Sequence, residues 1–313
     1  MGRIKRLIIS AEKGNRRDIG KLVTIIENRS DGYEEVLREI KGRRNKTFVL
    51  GVTGPPGVGK SSLISKIVNE FSSKEKLAII MIDATSPYSG GSLLGNRIRL
   101  DNTDNIYVRS MATRGSTGGL NLALGDSIDL LSHLGFTMII VESVGTGQDE
   151  TDILYYSDKI VMILSPGLGD QVQAMKAGQM EIGDFVVLNK SDKPEAILTE
   201  KELVEMIGIP DLSKKHEFFR VSALTGQGIH ELAEAINSSR EKAGRRSLNL
   251  ARERERLKRE IFAIIESNDG IFRAAAKDVL EGKIRKEEAI SRILEKIGKL
   301  QSDPSVHGKR GTP

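Results

Sequence analysis

Cysteine is absent from the 313 residues, and so is tryptophan. The first absence removes disulfides and thiolate metal sites and says nothing of redox compartment. Only four histidines occur (His133, His216, His230 and His307), too scattered to read as an imidazole metal site. Aromatics make up 4% of the chain, so any sizeable core has to be built from aliphatic side chains. No apolar run reaches the roughly 18 residues that a membrane-spanning helix needs. The start, MGRIKRLIIS, is basic, but its apolar stretch is too short for a signal peptide. Arg6 stands where myristoylation of Gly2 would require Ser or Thr. A soluble cytoplasmic protein is expected. An excess of one charge is also lacking, since 48 basic and 43 acidic residues leave only +5. The signs are mixed along most of the chain, which reads as solvated helix faces rather than a nucleic-acid stripe. Neither nucleic acid nor a membrane is expected as a partner.

What is present is an alternation of two periods. Residues 1–46 are charged, with apolar positions at helical spacing: Ile19, Leu22, Val23 and Ile26, then Val36, Leu37 and Ile40. They read as a helical N-terminal extension. From Thr47 short β-rich runs follow one another, separated by helical stretches: 47–52, 77–83, 106–110, 137–143, 159–165, 185–190 and 217–222. These runs are continuously apolar rather than alternating, which suits strands covered by helices on both faces. The expected fold class is therefore α/β, with a doubly wound, mostly parallel sheet over 47–240. Ligands of such sheets sit beyond the carboxyl ends of the strands. Beyond about residue 240 no strand pattern remains. Leu250, Leu257, Ile261, Ile264 and Ile265 share a helical face, and further helices are expected at 272–281 and 286–300. Residues 241–300 read as a C-terminal helical region and 301–313 as a frayed tail.

The loaded residues fall at those strand ends. After the first run comes GVTGPPGVGKSSL, whose Gly54-x-x-x-x-Gly59-Lys60-Ser61 spacing is that of a phosphate-binding loop. Glycines let backbone N–H groups turn onto phosphate oxygens, and Gly54, Pro55, Pro56, Gly57, Val58 and Gly59 form the candidate cradle. Lys60 can reach the β- and γ-phosphates, Ser61 can ligate Mg²⁺, and Ser62 continues the helix N-terminus that favours the anion. The base is read further on. Asn189, Lys190 and Asp192 form N-K-x-D at the end of the sixth run, and an ionised Asp can only accept hydrogen bonds. Guanine offers the matching donor pair, whereas adenine presents an acceptor. Ser222, Ala223 and Leu224 open SALTGQG, which resembles the loop backing guanine in GTPases but also reads as a plain turn. Asp83 and Glu142 close two strands, where each can hold the Mg²⁺ hydration shell or a bound water, or can simply cap its strand. Gly145 stands where GTPases place a backbone amide on the γ-phosphate, making 143–150 a candidate nucleotide-ordered loop.

Four further stretches, DATSPYSGGSLLGNRIRL, RSMATRGSTGGL, VESVGTGQDE and GDQVQAMKAGQMEIGDFVVLNKSD, occur in an order that resembles the MeaB/ArgK family of GTPases. The likeness is strong over roughly 47–230. The family is one of P-loop proteins with a SIMIBI-type G domain, accessory chaperones of a B12-dependent methylmalonyl-CoA mutase, once described as LAO/AO transport ATPases. The resemblance implies a homodimeric GTP hydrolase that cycles between GTP and GDP with Mg²⁺. It implies a B12-dependent acyl-CoA mutase as partner, with the cobalamin adenosyltransferase as a second candidate. Position by position it gives Lys60, Glu142 and Gly145 catalytic parts, and Ser61, Asp83, Asn96 and Glu142 the metal or its waters. It makes 84–100 and 143–150 switches and 167–178, with Asp170, Gln173 and Lys176, a loop that senses the client. Relatives usually carry Asp where this chain has Asn96, and Thr146 follows Gly145 in place of the water-orienting Gln of Ras-like GTPases. Arg109 and Arg114 flank RSMATRG, and their charge could serve phosphate or partner. Three other functions stay open: a metal-delivery GTPase, disfavoured by the lack of Cys/His clusters; an ATP-using transport kinase, opposed by N-K-x-D; and a GTP-dependent scaffold.

Overall fold

The computed structural model describes residues 1–41, 47–71, 75–83, 105–112, 123–143, 153–167, 183–207, 217–242 and 268–302, with isolated helical positions between 254 and 265. All seven β-rich runs form strands: β1 (Phe48–Thr53), β2 (Leu77–Asp83), β3 (Ile106–Ala112), β4 (Met138–Glu142), β5 (Lys159–Leu164), β6 (Phe185–Leu188) and β7 (Glu217–Arg220). They make one sheet in the order β3-β2-β4-β1-β5-β6-β7, every pairing parallel. The described helices are α1 (Arg3–Glu12), α2 (Arg16–Asn28), α3 (Tyr33–Ile40), α4 (Lys60–Phe71), α5 (Leu124–His133), α6 (Ala196–Ile207), α7 (Ile229–Lys242), α8 (Asp269–Leu280) and α9 (Lys286–Ser302).

Because side chains alternate across a strand, the continuous apolar runs supply two separate cores. Val49, Ile80, Ile139, Val141 and Met162 join α1, α2, α3 and α5 on one face. Leu50, Val52, Ile79, Ile140 and Ile163 join α4 and α7 on the other. The helices are cut to match. On α4, Leu63, Ile64, Ile67, Val68 and Phe71 are buried along a single face. On α2, Ile19, Leu22, Val23, Ile25 and Ile26 are buried, and the Asn15 side chain caps the first turn by accepting from the Arg17 and Asp18 amides.

The N-terminal helices do not stand apart. Their apolar faces complete one of the two cores, and the Tyr33 hydroxyl donates to Asp126 of α5 at 2.7 Å. Arg109 answers a question left open by its sequence position. It points from β3 to α2, where its guanidinium pairs with Glu27 and donates to Thr24 Oγ1 at 3.1 Å. Its charge holds helix to sheet rather than serving phosphate. Arg114 lies outside the described residues.

The C-terminal helices differ. α8 buries none of its residues, and α8 and α9 pack on each other while Leu280, Ile290 and Leu294 stay exposed. No helix among the described residues is long and apolar enough to cross a membrane.

Candidate functional site

The site gathers where β1 lies between β4 and β5, at their carboxyl ends. Gly54 leaves β1 with φ +142°, and a Cβ there would fall 2.2 Å from the carbonyl oxygen of Ile163 on β5. Only glycine admits that contact with backbone. Gly59 enters α4 with φ +96°, and its Cβ would meet the Asn189 amide nitrogen at 2.5 Å. The loop between them exposes Pro56 and Gly57 and buries Pro55 and Val58.

Lys60 is the first residue of α4 and is buried, 7% exposed. Its ammonium donates to the carbonyls of Gly54 at 2.7 Å and Pro55 at 3.2 Å, curling the loop around a positive centre. Ser61 Oγ donates to Glu142 Oε1 at 2.8 Å, while Ser62 is exposed. Glu142 ends β4 and is buried. Hydroxyl, carboxylate and ammonium therefore meet at one strand edge beside a helix N-terminus. This donor set fits a triphosphate with its hydrated Mg²⁺: oxygen ligands for a hard cation, and a cation plus helix dipole for the anion. Asp83 closes β2 opposite Ala112 of β3, and its side chain is outside the described residues. Asn96, Gly145, Thr146, Asp170, Gln173 and Lys176 also lie outside them.

The second half of the site is stitched to the first. β6 stops at Leu188, two residues before its sequence run does, because Asn189 and Lys190 turn out of the ladder. The Asn189 amide donates to the Val58 carbonyl at 2.9 Å and accepts from the Ala223 amide at 3.0 Å. Lys190 takes φ +58° and its ammonium donates to the Gly57 carbonyl at 2.6 Å. Asp192 is exposed and accepts from the Ser222 hydroxyl at 2.5 Å. That bond holds its carboxyl below the usual carboxylate range. Ser222 Oγ also accepts from the Thr225 amide, so the 222–228 segment is a turn organised around the acidic group. Leu224, in the same turn, is 82% exposed. The site thus presents an exposed acidic acceptor held by Ser222, a group suited to a partner with paired donors.

Two residues of this region carry no signal in the sequence. Thr53 and Ser143, both buried, join their hydroxyls at 2.9 Å between the ends of β1 and β4. The pair spans 90 residues of chain, so no spacing rule finds it. Among the described residues no group of three or more His, Asp or Glu side chains forms a metal cluster.

Residues 19–277 match the family described as methylmalonyl Co-A mutase-associated GTPase MeaB. A protein of Pyrococcus abyssi provisionally named a GTPase is 39% identical over 311 residues, covering 96% of this chain and 93% of its own. The mitochondrial methylmalonic aciduria type A homolog of Caenorhabditis elegans is 29% identical over 317 residues, covering 90% and 78% respectively. Among solved structures, that of LAO/AO transport system kinase has a TM-score of 0.66 at 21% identity, covering 95% of this chain and 99% of that one. That likeness speaks to fold alone. With a family match over most of its length and a phosphate loop at the carboxyl end of the central strand β1, this chain belongs to the MeaB family of methylmalonyl-CoA mutase-associated GTPases.

Proposed function

We propose that the protein is a Mg²⁺-dependent GTP hydrolase, active as a homodimer, that chaperones a B12-dependent acyl-CoA mutase by gating cobalamin loading and protecting the enzyme. The observation that carries the choice of nucleotide is Asp192. Its carboxylate is held ionised by Ser222 and stands open to a ligand, while Asn189 ties the base loop to the phosphate loop. An acceptor-only group pairs with the N1–H and 2-amino donors of guanine and is repelled by the acceptor that adenine offers at the same edge.

In this reading Lys60 exchanges its loop carbonyls for phosphate oxygens. The backbone N–H groups of Gly57, Val58 and Gly59 would line the polyphosphate, with Ser62 at the helix N-terminus. Pro55 and Pro56, which carry no N–H, only shape the loop. Ser61, Asp83, Asn96 and Glu142 would hold Mg²⁺ or its waters. A bound Mg²⁺ supplies charge neutralisation across the phosphate oxygens. Glu142, buried beside Ser61, keeps the Ser61 hydroxyl aimed across the loop, and the Gly145 amide would meet the γ-phosphate. Lys190 and Leu224 flank the base, and Ser222 and Ala223 back it. The mutase partnership rests on the family to which residues 19–277 belong, and residues 167–178 are the proposed contact with the client.

Calorimetry tests the base assignment. GTP and GDP should bind with Mg²⁺ at least about 100-fold more tightly than ATP. Comparable ATP affinity would overturn it, and Asp192→Asn should turn preference toward xanthine nucleotides, whose C2 carbonyl needs a donor.

A further inference from the structure

We propose that Thr53 and Ser143 are positioning residues: their buried hydroxyl pair sets the phosphate loop in register with Glu142. This rests on the nucleotide reading of the site and adds to it a pair of side chains outside the residues assigned to nucleotide and metal.

Consecutive residues at the end of β4 point to opposite faces of the sheet. Glu142 faces α4 and accepts from Ser61 at 2.8 Å. Ser143 faces the other way, and its hydroxyl meets Thr53 Oγ1 at 2.9 Å. Its amide also donates to the Val52 carbonyl at 3.0 Å, extending the β1–β4 ladder one step past the strand. The end of β4 is therefore pinned on both faces at adjacent positions. Thr53 is the residue from which the phosphate loop departs. On the β5 side the next residue, Gly54, is wedged against the Ile163 carbonyl. On the β4 side the hydroxyl pair is the matching restraint.

Thr53 is 0% and Ser143 3% exposed, so removing either hydroxyl leaves the other buried and unmatched. The loss would be felt at the two neighbours that matter. Gly54 carries the carbonyl that receives Lys60, and Glu142 carries the carboxylate that receives Ser61. Small displacements of such groups cost rate more than affinity, because the chemistry depends on alignment and binding is spread over many contacts.

The experiment uses the full chain carrying Thr53→Val, Ser143→Ala, both together, or Thr53→Ser. Steady-state GTP turnover should show kcat about tenfold lower in each of the first two, with KM within about threefold of wild type. The double variant should be no worse than either single one, and Thr53→Ser should restore kcat to within about twofold. Unchanged kcat per folded molecule, losses that multiply, or no rescue by Thr53→Ser would overturn the proposal. Hydrogen exchange without nucleotide gives a readout independent of hydrolysis. Thr53→Val should speed amide exchange several-fold in both 54–60 and 138–143, and an effect confined to one of these segments would overturn it. If wild type neither binds nor turns over GTP, the nucleotide reading falls while exchange still decides the coupling. If Thr53→Val does not fold, Ser143→Ala carries the same comparison.

Discussion

Asp192 sits in solvent, yet its carboxyl is held below the usual range because the Ser222 hydroxyl donates to it at 2.5 Å. The hydrogen bond favours the charged form, so protonation requires a lower pH than for an isolated Asp. The sign follows directly. Guanine recognition is fully present above that lowered pKa and is lost as pH falls through it. Ser222→Ala removes the donor, returns Asp192 toward the ordinary carboxylate range, and also leaves the Thr225 amide without its acceptor. GDP affinity measured by calorimetry should fall several-fold at neutral pH. Its acid limb should move to higher pH than in wild type. An acid limb unmoved by Ser222→Ala would mean that another group governs base binding at low pH.

At the scale of elements, α2 is tied to β3 by the ion pair of Glu27 and Arg109. Glu27 is 4% exposed on its side chain and Arg109 28%, so their ion pair is screened far less than one on the surface. Glu27→Ala should leave a largely buried guanidinium without its charge partner and destabilise the fold by about 3 kcal/mol. Replacing both residues by Leu should recover much of that loss, since apolar packing often substitutes for a buried pair at little net cost. Urea denaturation of the two variants makes the comparison. Equal losses would place the cost in the helix packing rather than in the stranded charge. Nucleotide affinity should change little in either, because the pair faces away from the phosphate loop.

At the scale of the whole molecule, several of the exposed large apolar side chains among the described residues lie on the carboxyl-terminal helices, with others on α6. Leu280 is 88% and Leu294 63% exposed, on helices that bury little against their own sheet. In the proposed homodimer these residues supply the interface. Leu280→Glu with Leu294→Glu should shift the protein to monomer in sedimentation at micromolar concentration and leave GTP affinity unaltered. A wild-type protein that sediments as a monomer would remove the dimer from the proposal.

The strands, the parallel sheet and the phosphate loop were legible in the residues, because each is written in local periodicity. Seven apolar runs became seven strands, Gly54 stands where the neighbouring backbone permits no Cβ, and Gly57 and Gly59 take positive φ. The N-K-x-D segment was equally plain, since it is contiguous, and the base-reading part given to Asp192 is the proposal that rests on its acceptor chemistry. Tertiary structure alone decided the rest. Arg109 could have faced phosphate or partner, and only the placement of α2 against β3 turned it toward Glu27. The hydroxyl pair of Thr53 and Ser143 joins residues that are neighbours across a ladder and strangers along the chain. Local pattern records what a residue's own segment requires of it. Which segment comes to lie beside it is set by how the two cores close over the sheet, and no single stretch of sequence contains that.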